Sequence, residues 1–208
     1  MKCSDPRFTI PELSYRAEPL KWRTVVCVPD VFDQAEIDRI LGLVDPKHKQ
    51  DGAIGSGDLD QTIRRSRVAP LVYGPTTEWV YERLTKTTTD VNGKHFGYDL
   101  LGFDSHLQYT EVPEGGVYDW HVDIGPRNYR FRKLSVSVLL DDGDMFTGGH
   151  LETAPAATFT TRGDRALMTN PSPGTAIFFP SWLLHRVTLV NSGLRRSLVG
   201  WCVGPSFS

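Results

Sequence analysis

Two kinds of hydrophobic patterning divide the chain near residue 100. Before it, two stretches carry apolar residues at helical spacing. Ile37, Ile40, Leu41 and Val44 recur every three or four positions after Asp33-Gln-Ala-Glu36, a capping-box sequence, and Pro46 ends the run. Trp79, Val80 and Leu84 mark the inward face of a second helix, from about Thr76 to Val91, whose threonine run (Thr87 to Thr89) blurs its C-terminal end. Ahead of both, Trp22 to Val28 reads as a strand from its β-branched and aromatic content. Residues 1–20 are punctuated by proline and are expected to wrap the surface. Residues 50–62, rich in glycine and aspartate without periodicity, read as a mobile loop.

Beyond residue 100 the period shortens to that of strands. Segments 104–110, 117–123, 133–140, 149–153, 175–179, 185–190 and 194–203 are each apolar or alternating. Turn signals separate them, among them Gly115-Gly116, Gly125-Pro126, Gly148-Gly149 and Asn191-Ser-Gly193. Helices followed by about seven strands predict a mainly β chain with flanking helices, a sandwich or barrel. No linker composition marks a second domain. Residues 1–208 are therefore expected to form one, with 1–99 as helical and strand support and 100–205 as the β core that bears the site.

Composition narrows the function classes. A length of 208 residues suffices for a continuous core. Lys and Arg number 23 against 25 Asp and Glu, a balance that disfavours nucleic acid and anionic membrane as partners. No apolar run reaches the roughly 18 residues of a membrane span, and Pro6, Arg7, Pro11 and Glu12 interrupt any signal-peptide core. A cytoplasmic protein is the expectation. Cys3, Cys27 and Cys202 are too few and too scattered for a disulfide framework or a zinc knuckle.

The chemistry concentrates in the strand region. On an extended strand His121 and Asp123 project from one side, so an imidazole and a carboxylate can take adjacent corners of a metal. His185, just after the apolar strand Thr175 to Phe179, offers a third. Two histidines and one carboxylate suit ferrous iron that must still bind a co-substrate and oxygen. Arg195 and Ser197 share a face of the last strand, with Arg196 on the other, and form a clamp for a small carboxylate. The Asn191-Ser-Gly193 hairpin turn is expected to fold that strand back beside His185, so that clamp and metal share one barrel mouth. His150 alternates with Leu151 and is expected to face solvent. His106 reads as structural, and His48 and His95 lack a ligand-spaced partner.

His121-x-Asp123, His185 and Gly193-x-Arg195-x-Ser197 together resemble the iron(II)/2-oxoglutarate-dependent dioxygenases, specifically the prolyl-4-hydroxylase-like branch with its PKHD-type hydroxylases. Further matches are Gln108-Tyr109, Tyr118-x-x-His121, Leu134 to Leu140, Gly148-Gly149-x-Leu151 and Phe179-Pro-Ser181-x-x-x-His185-Arg-Val, so the resemblance covers about residues 104–205. It implies a double-stranded β-helix, a jelly-roll or cupin-like core, with iron at one open end. His121, Asp123 and His185 would be the catalytic metal ligands. 2-Oxoglutarate would chelate the metal, its far carboxylate on Arg195 and Ser197 with a phenolic hydrogen bond from Tyr109. Oxygen completes the set, and ascorbate is a candidate reductant. The implied reaction hydroxylates an unactivated C–H bond and yields succinate and carbon dioxide. Relatives that transfer halide lack the carboxylate, so Asp123 favours hydroxylation.

Substrate residues are harder to assign. The connection after the His-x-Asp strand carries Arg127, Arg130, Arg132 and Lys133 with Tyr129 and Phe131, suited to an acidic substrate or a peptide backbone. Tyr118, Arg127, Arg130 and Trp201 are the candidate substrate contacts. Loop 154–173, with Arg162, Asp164 and Arg165, and loop 50–62 are candidate lids. The absence of a peptide-docking module favours a small molecule, an amino acid or natural-product intermediate. The branch itself suggests a peptidyl or prolyl substrate instead. A non-catalytic, cupin-like metal sensor would keep the histidines but have no use for the Arg195 clamp.

Overall fold

The structure is a computed structural model that describes residues 24–53, 58–154, 166–167 and 170–206. Among these residues the strands are β1 (Val26–Val28), β2 (Gln50–Asp51), β3 (Arg67–Leu71), β4 (Gly102–Phe103), β5 (Leu107–Pro113), β6 (Tyr118–His121) and β7 (Arg132–Leu139), followed by β8 (Phe146–Gly148), β9 (Leu151–Thr153), β10 (Ala166–Leu167), β11 (Ala176–Pro180), β12 (His185–Val187) and β13 (Val190–Val203). Two α-helices, α1 (Gln34–Leu43) and α2 (Glu78–Val91), precede most of the sheet. Pairing is antiparallel throughout. The major sheet runs β1-β11-β7-β13-β5-β3-β2, with β4 and β8 also on β13, and the minor sheet runs β10-β9-β12-β6.

Both helices form where their sequences require. Asp33 caps α1 by accepting from the Glu36 N–H, and Glu36 returns the bond to the Asp33 N–H. Ile37 and Ile40 are buried, with Leu41 and Val44 packed beside them. On α2, Val80, Tyr81, Leu84, Thr88 and Val91 are buried, and the threonine run stays helical as Thr87 and Thr89 bond back to the carbonyls of Arg83 and Thr85. Both helices pack on one face of the major sheet, against Leu71, Leu107, Tyr109, Leu134, Val136, Val138, Phe178 and Leu198.

Strand alternation turns the other residues of those strands toward the minor sheet. Residues 134, 136 and 138 of β7 enter the helix-side core, whereas Ser135, Ser137 and Leu139 face the opposite sheet. Leu151, Ile177, Phe179 and Leu183 form a small core between the sheets, and Val112, Leu139, Phe146 and Val190 close one end. The result is the expected mainly β, jelly-roll arrangement with flanking helices. Between the sheets lies an open cavity of about 640 Å³.

Three expectations about elements need correction. Asn191-Ser-Gly193 is no hairpin: β13 runs unbroken through it, pairing first with β8 and then with β5 and β7, never with β12. Gly193 has φ +81°, and a Cβ there would collide with the Met145 carbonyl oxygen, so the position suits glycine on both counts. The supposed loop 50–62 begins as a strand, with Gln50 and Asp51 paired to Val68 and Arg67 of β3, a strand that carries Pro70. Of the expected first strand, Val26–Val28 forms one, Thr24 and Val25 do not, and Trp22 and Arg23 lie outside the described residues. Residues 1–20, Cys3, and Arg162, Asp164 and Arg165 of the proposed lid lie outside the described residues.

Candidate metal and co-substrate site

His121 ends β6, and His185 opens β12 directly opposite it in register. Each imidazole donates its Nδ1–H to a carbonyl two residues back, His121 to Asp119 at 2.7 Å and His185 to Leu183 at 2.8 Å. Those bonds fix the tautomer and leave both Nε2 lone pairs free. The freed atoms converge on Asp123, with His121 Nε2 3.8 Å from Oδ1 and His185 Nε2 3.6 Å from Oδ2. Three ligand atoms within 4.8 Å of one another, two neutral nitrogens and a carboxylate oxygen, can hold a divalent transition metal.

Asp123 lies just beyond β6, so backbone bonds rather than strand pairing position it. Its N–H and that of Ile124 both donate to the Ser181 carbonyl, at 2.9 and 3.2 Å. Ser135 on β7 donates to Oδ2 at 2.6 Å, and because its proton is thereby used, Ser181 Oγ at 2.9 Å donates to Ser135. Burial alone would raise the Asp123 carboxyl. His185, His121, the Ser135 hydroxyl and the nearby Trp201 indole outweigh it and hold the group below the usual range. Trp201 Nε1 is itself buried and closes no hydrogen bond of its own. His121 is pushed down to about 4, first by burial and then by the neighbouring His185, against the opposing pull of Asp123.

Across the cavity, β13 presents Arg195 and Ser197 on one face, as their spacing predicted. Arg195 is 3% exposed, its Nη1 donates to Ser197 Oγ at 3.3 Å, and its Nε has no partner among the described residues. Burial lowers it to about 10, partly opposed by Asp141, whose carboxylate is already bonded to Arg196. A buried guanidinium with an orphaned donor is a site for an incoming carboxylate. Gly149 makes the space, since a Cβ there would stand 2.9 Å from Arg195 Cδ.

The structure brings His121, Asp123, His185, Arg195, Ser197, Tyr118 and Trp201 into this one cavity. It does not bring Tyr109. That residue sits on the opposite face of β5, 3% exposed in the helix-side core, donating to Glu111 Oε2 at 3.0 Å under the Lys49 ammonium. The β5 residues facing the cavity are Gln108, Thr110 and Val112. Arg127 and Arg130 also miss, being exposed on the turn Arg127–Phe131, which lines the cavity through Asn128 and Tyr129 instead. The cation that follows, Arg132, does line it, paired with Asp104 at 2.8 Å and stacked 4.0 Å over Trp201. His150 is half-buried rather than solvent-facing and lies outside the ligand cluster. His106 accepts from the Tyr73 N–H, as a structural residue would.

Sequence reasoning passed over Arg64. The segment 63–65 pairs with the edge of β6 through Arg65 N–H to Val117 O and Asp119 N–H to Ile63 O. The Arg64 guanidinium thereby lies 4.4 Å over the Tyr118 ring, which stacks on His121 at 3.5 Å. The cluster Arg64-Arg-Ser-Arg67 just before a strand was the available signal.

Residues 107–203 match the 2OG-Fe(II) oxygenase superfamily. A PKHD-type hydroxylase of Synechococcus sp. (strain CC9605) is 40% identical over 119 residues, covering 56% of this chain and 49% of the relative, so the chain spans about half that protein's length. One from Synechococcus elongatus is 24% identical over 181 residues, covering 85% of the chain and 77% of its own. Two solved structures share the fold. A Trichoplax adhaerens prolyl hydroxylase in complex with a peptide fragment of hypoxia inducible factor gives a TM-score of 0.69 at 17% identity, over 86% of this chain and 83% of that one. A Pseudomonas putida prolyl-4-hydroxylase gives 0.67 at 18%, over 88% and 94%. The match over this segment implies iron(II), 2-oxoglutarate and oxygen, and the His-Asp-His donor set and the orphaned Arg195 donor fit the first two. Among the described residues no helix is long and apolar enough to cross a membrane.

Proposed function

We propose that this protein is an iron(II)- and 2-oxoglutarate-dependent hydroxylase, converting a C–H bond to C–OH while 2-oxoglutarate and oxygen become succinate and carbon dioxide. One observation carries the reading: an open three-ligand metal cluster and a buried, unneutralised Arg195 face the same cavity. A metal-binding sensor would have no use for the second of these.

His121, Asp123 and His185 would hold the iron, which supplies oxygen activation by electron transfer. The rest is the protein's own work. Arg195 and Ser197 bind the distal carboxylate of the 2-oxo acid, and Val112, Leu139, Phe146 and Val190 seal that end against water. Tyr118 on His121 and Phe179, 4.6 Å from His185, keep the imidazoles dry and oriented. Ser135 and Ser181 keep the Asp123 carboxylate turned toward the histidines. Arg64, Arg132, Tyr129 and Trp201 form the wall left for the substrate.

The preferred substrate is a small molecule, because the charged wall lies inside a cavity of about 640 Å³ between the sheets. The peptide held by the Trichoplax neighbour supports a peptidyl substrate as the second reading. Iron(II)-loaded protein given 2-oxoglutarate and oxygen is expected to release succinate, and Asp123→Ala and Arg195→Met to abolish it. Undiminished succinate release in either variant would remove this assignment.

A further inference from the structure

Three arginines among the described residues are buried: Arg64 at 8% exposure, Arg132 at 9% and Arg195 at 3%. All three line the cavity. Arg132 is neutralised by Asp104. Arg195 is accounted for by the co-substrate in the reading above. Arg64 remains, and no carboxylate stands within ion-pair distance of it among the described residues.

Its surroundings hold it in place without cancelling its charge. Nε donates to Ser66 Oγ at 2.9 Å and Nη1 to the Ala53 carbonyl at 2.7 Å, both neutral acceptors. The plane rests on Tyr118. Gly52 lets the guanidinium in, because a Cβ there would be 2.5 Å from Nε. Removing a guanidinium from water this far is costly unless an anion meets it, and a fork fixed in advance is suited to a planar, bidentate one. Through Tyr118 the arginine is one ring removed from His121, so an anion held there is beside the metal ligands.

Resting on the hydroxylase reading, we propose that the oxidised substrate carries a carboxylate and that Arg64 binds it. The acid then spans from Arg64 toward the open side of the triad, while Arg195 takes the 2-oxo acid on the other side. Two unpaired guanidiniums in one cavity thus serve two acids, one consumed as co-substrate and one hydroxylated with its carboxylate intact. A free amino acid and the C-terminal residue of a peptide share this chemistry.

The test is succinate release by the iron(II)-loaded full chain with 2-oxoglutarate and oxygen. The probes are the L-amino acids as free acids and as carboxamides, with dipeptides bearing a free or an amidated C-terminus. The expected result is that at least one free carboxylate stimulates release about tenfold or more over its amide, since a site built for a polar group rejects an analogue that lacks it. The dipeptide arm tells a free acid from a C-terminal one. Arg64→Met is expected to erase the acid-to-amide preference and Arg64→Lys to retain part of it. Should Arg64→Met fail to fold, the acid-to-amide comparison on the unaltered protein decides alone. Equal stimulation by acids and amides, stimulation only by amidated peptides, or none by any carboxylate overturns the proposal. Succinate formed without discrimination sinks only this inference, whereas failure to bind 2-oxoglutarate sinks the hydroxylase reading beneath it.

Discussion

Asp123 is the residue on which the metal cluster depends, and two hydroxyls behind it decide how it is presented. Ser135 is fully buried and bonds Oδ2 at 2.6 Å, with Ser181 in support. Ser135→Ala frees the carboxylate to rotate, and metal affinity should fall about 10- to 100-fold, the usual cost of losing a ligand's supporting partner. Titration with manganese(II) or cobalt(II) measures it. The substitution also strands Ser181, so Ser135→Ala/Ser181→Ala should recover stability but not affinity, and Ser135→Thr should recover both. The imidazoles set a pH dependence. In the metal-free protein His121 stays neutral down to about 4, whereas the unfolded chain takes up its proton near the ordinary value of about 6.5. The unfolded state therefore binds more protons across that window, and stability falls as pH drops through it. Metal binding, which requires the neutral ring, weakens in the same direction. A plot of urea midpoint against pH should slope upward from about 4 to 6.5 in the metal-free protein and flatten in His121→Gln. An unchanged slope would show that His121 is not the responsible group.

At the scale of elements, strand parity was legible and strand connection was not. Arg195 and Ser197 share a face of β13, as a period of two requires, whereas Asp123 lies past the end of β6 and is held near His121 by backbone bonds to Ser181. Tyr109 fails by the same rule. It pairs with Leu198, a residue of the helix-side core, whereas Ser197 pairs with Thr110 and shares the cavity face with it. Parity relative to Arg195 was therefore the missing information, and only the β5–β13 register supplies it. Arg64 was illegible for a related reason, since its strand-edge contact with β6 is long-range and leaves no local period. Tyr109→Phe should accordingly leave the KM for 2-oxoglutarate unchanged and cost about 1 kcal/mol of stability through the lost bond to Glu111. Denaturant unfolding and co-substrate titration of the same variant check both halves. A several-fold rise in KM would return Tyr109 to the co-substrate site.

At the scale of the whole molecule, the site is divided between two sheets. The metal ligands belong to the minor sheet and its margins, through β6 and β12, while the clamp belongs to β13 of the major sheet. A 2-oxo acid bound to the metal at one end and to Arg195 at the other would tie the sheets together. Metal alone loads one sheet, and the acid alone meets only a desolvated arginine. Stabilisation by the two together should therefore exceed the sum of each alone. A ligand at a hundred times its Kd adds about 2.7 kcal/mol, and for a chain of this size that raises Tm by roughly 5–10 °C. Thermal melts under nitrogen with manganese(II), 2-oxoglutarate, both or neither measure the excess. Arg195→Met provides the decisive comparison. Replacing an unpaired buried guanidinium by an apolar chain should raise the Tm of the ligand-free protein. The variant should still respond to metal yet show no further gain from 2-oxoglutarate, because the second anchor is gone. A synergy that survives Arg195→Met would place the acid's far carboxylate elsewhere, and a strictly additive response in the unaltered protein would mean that the sheets are not bridged at all.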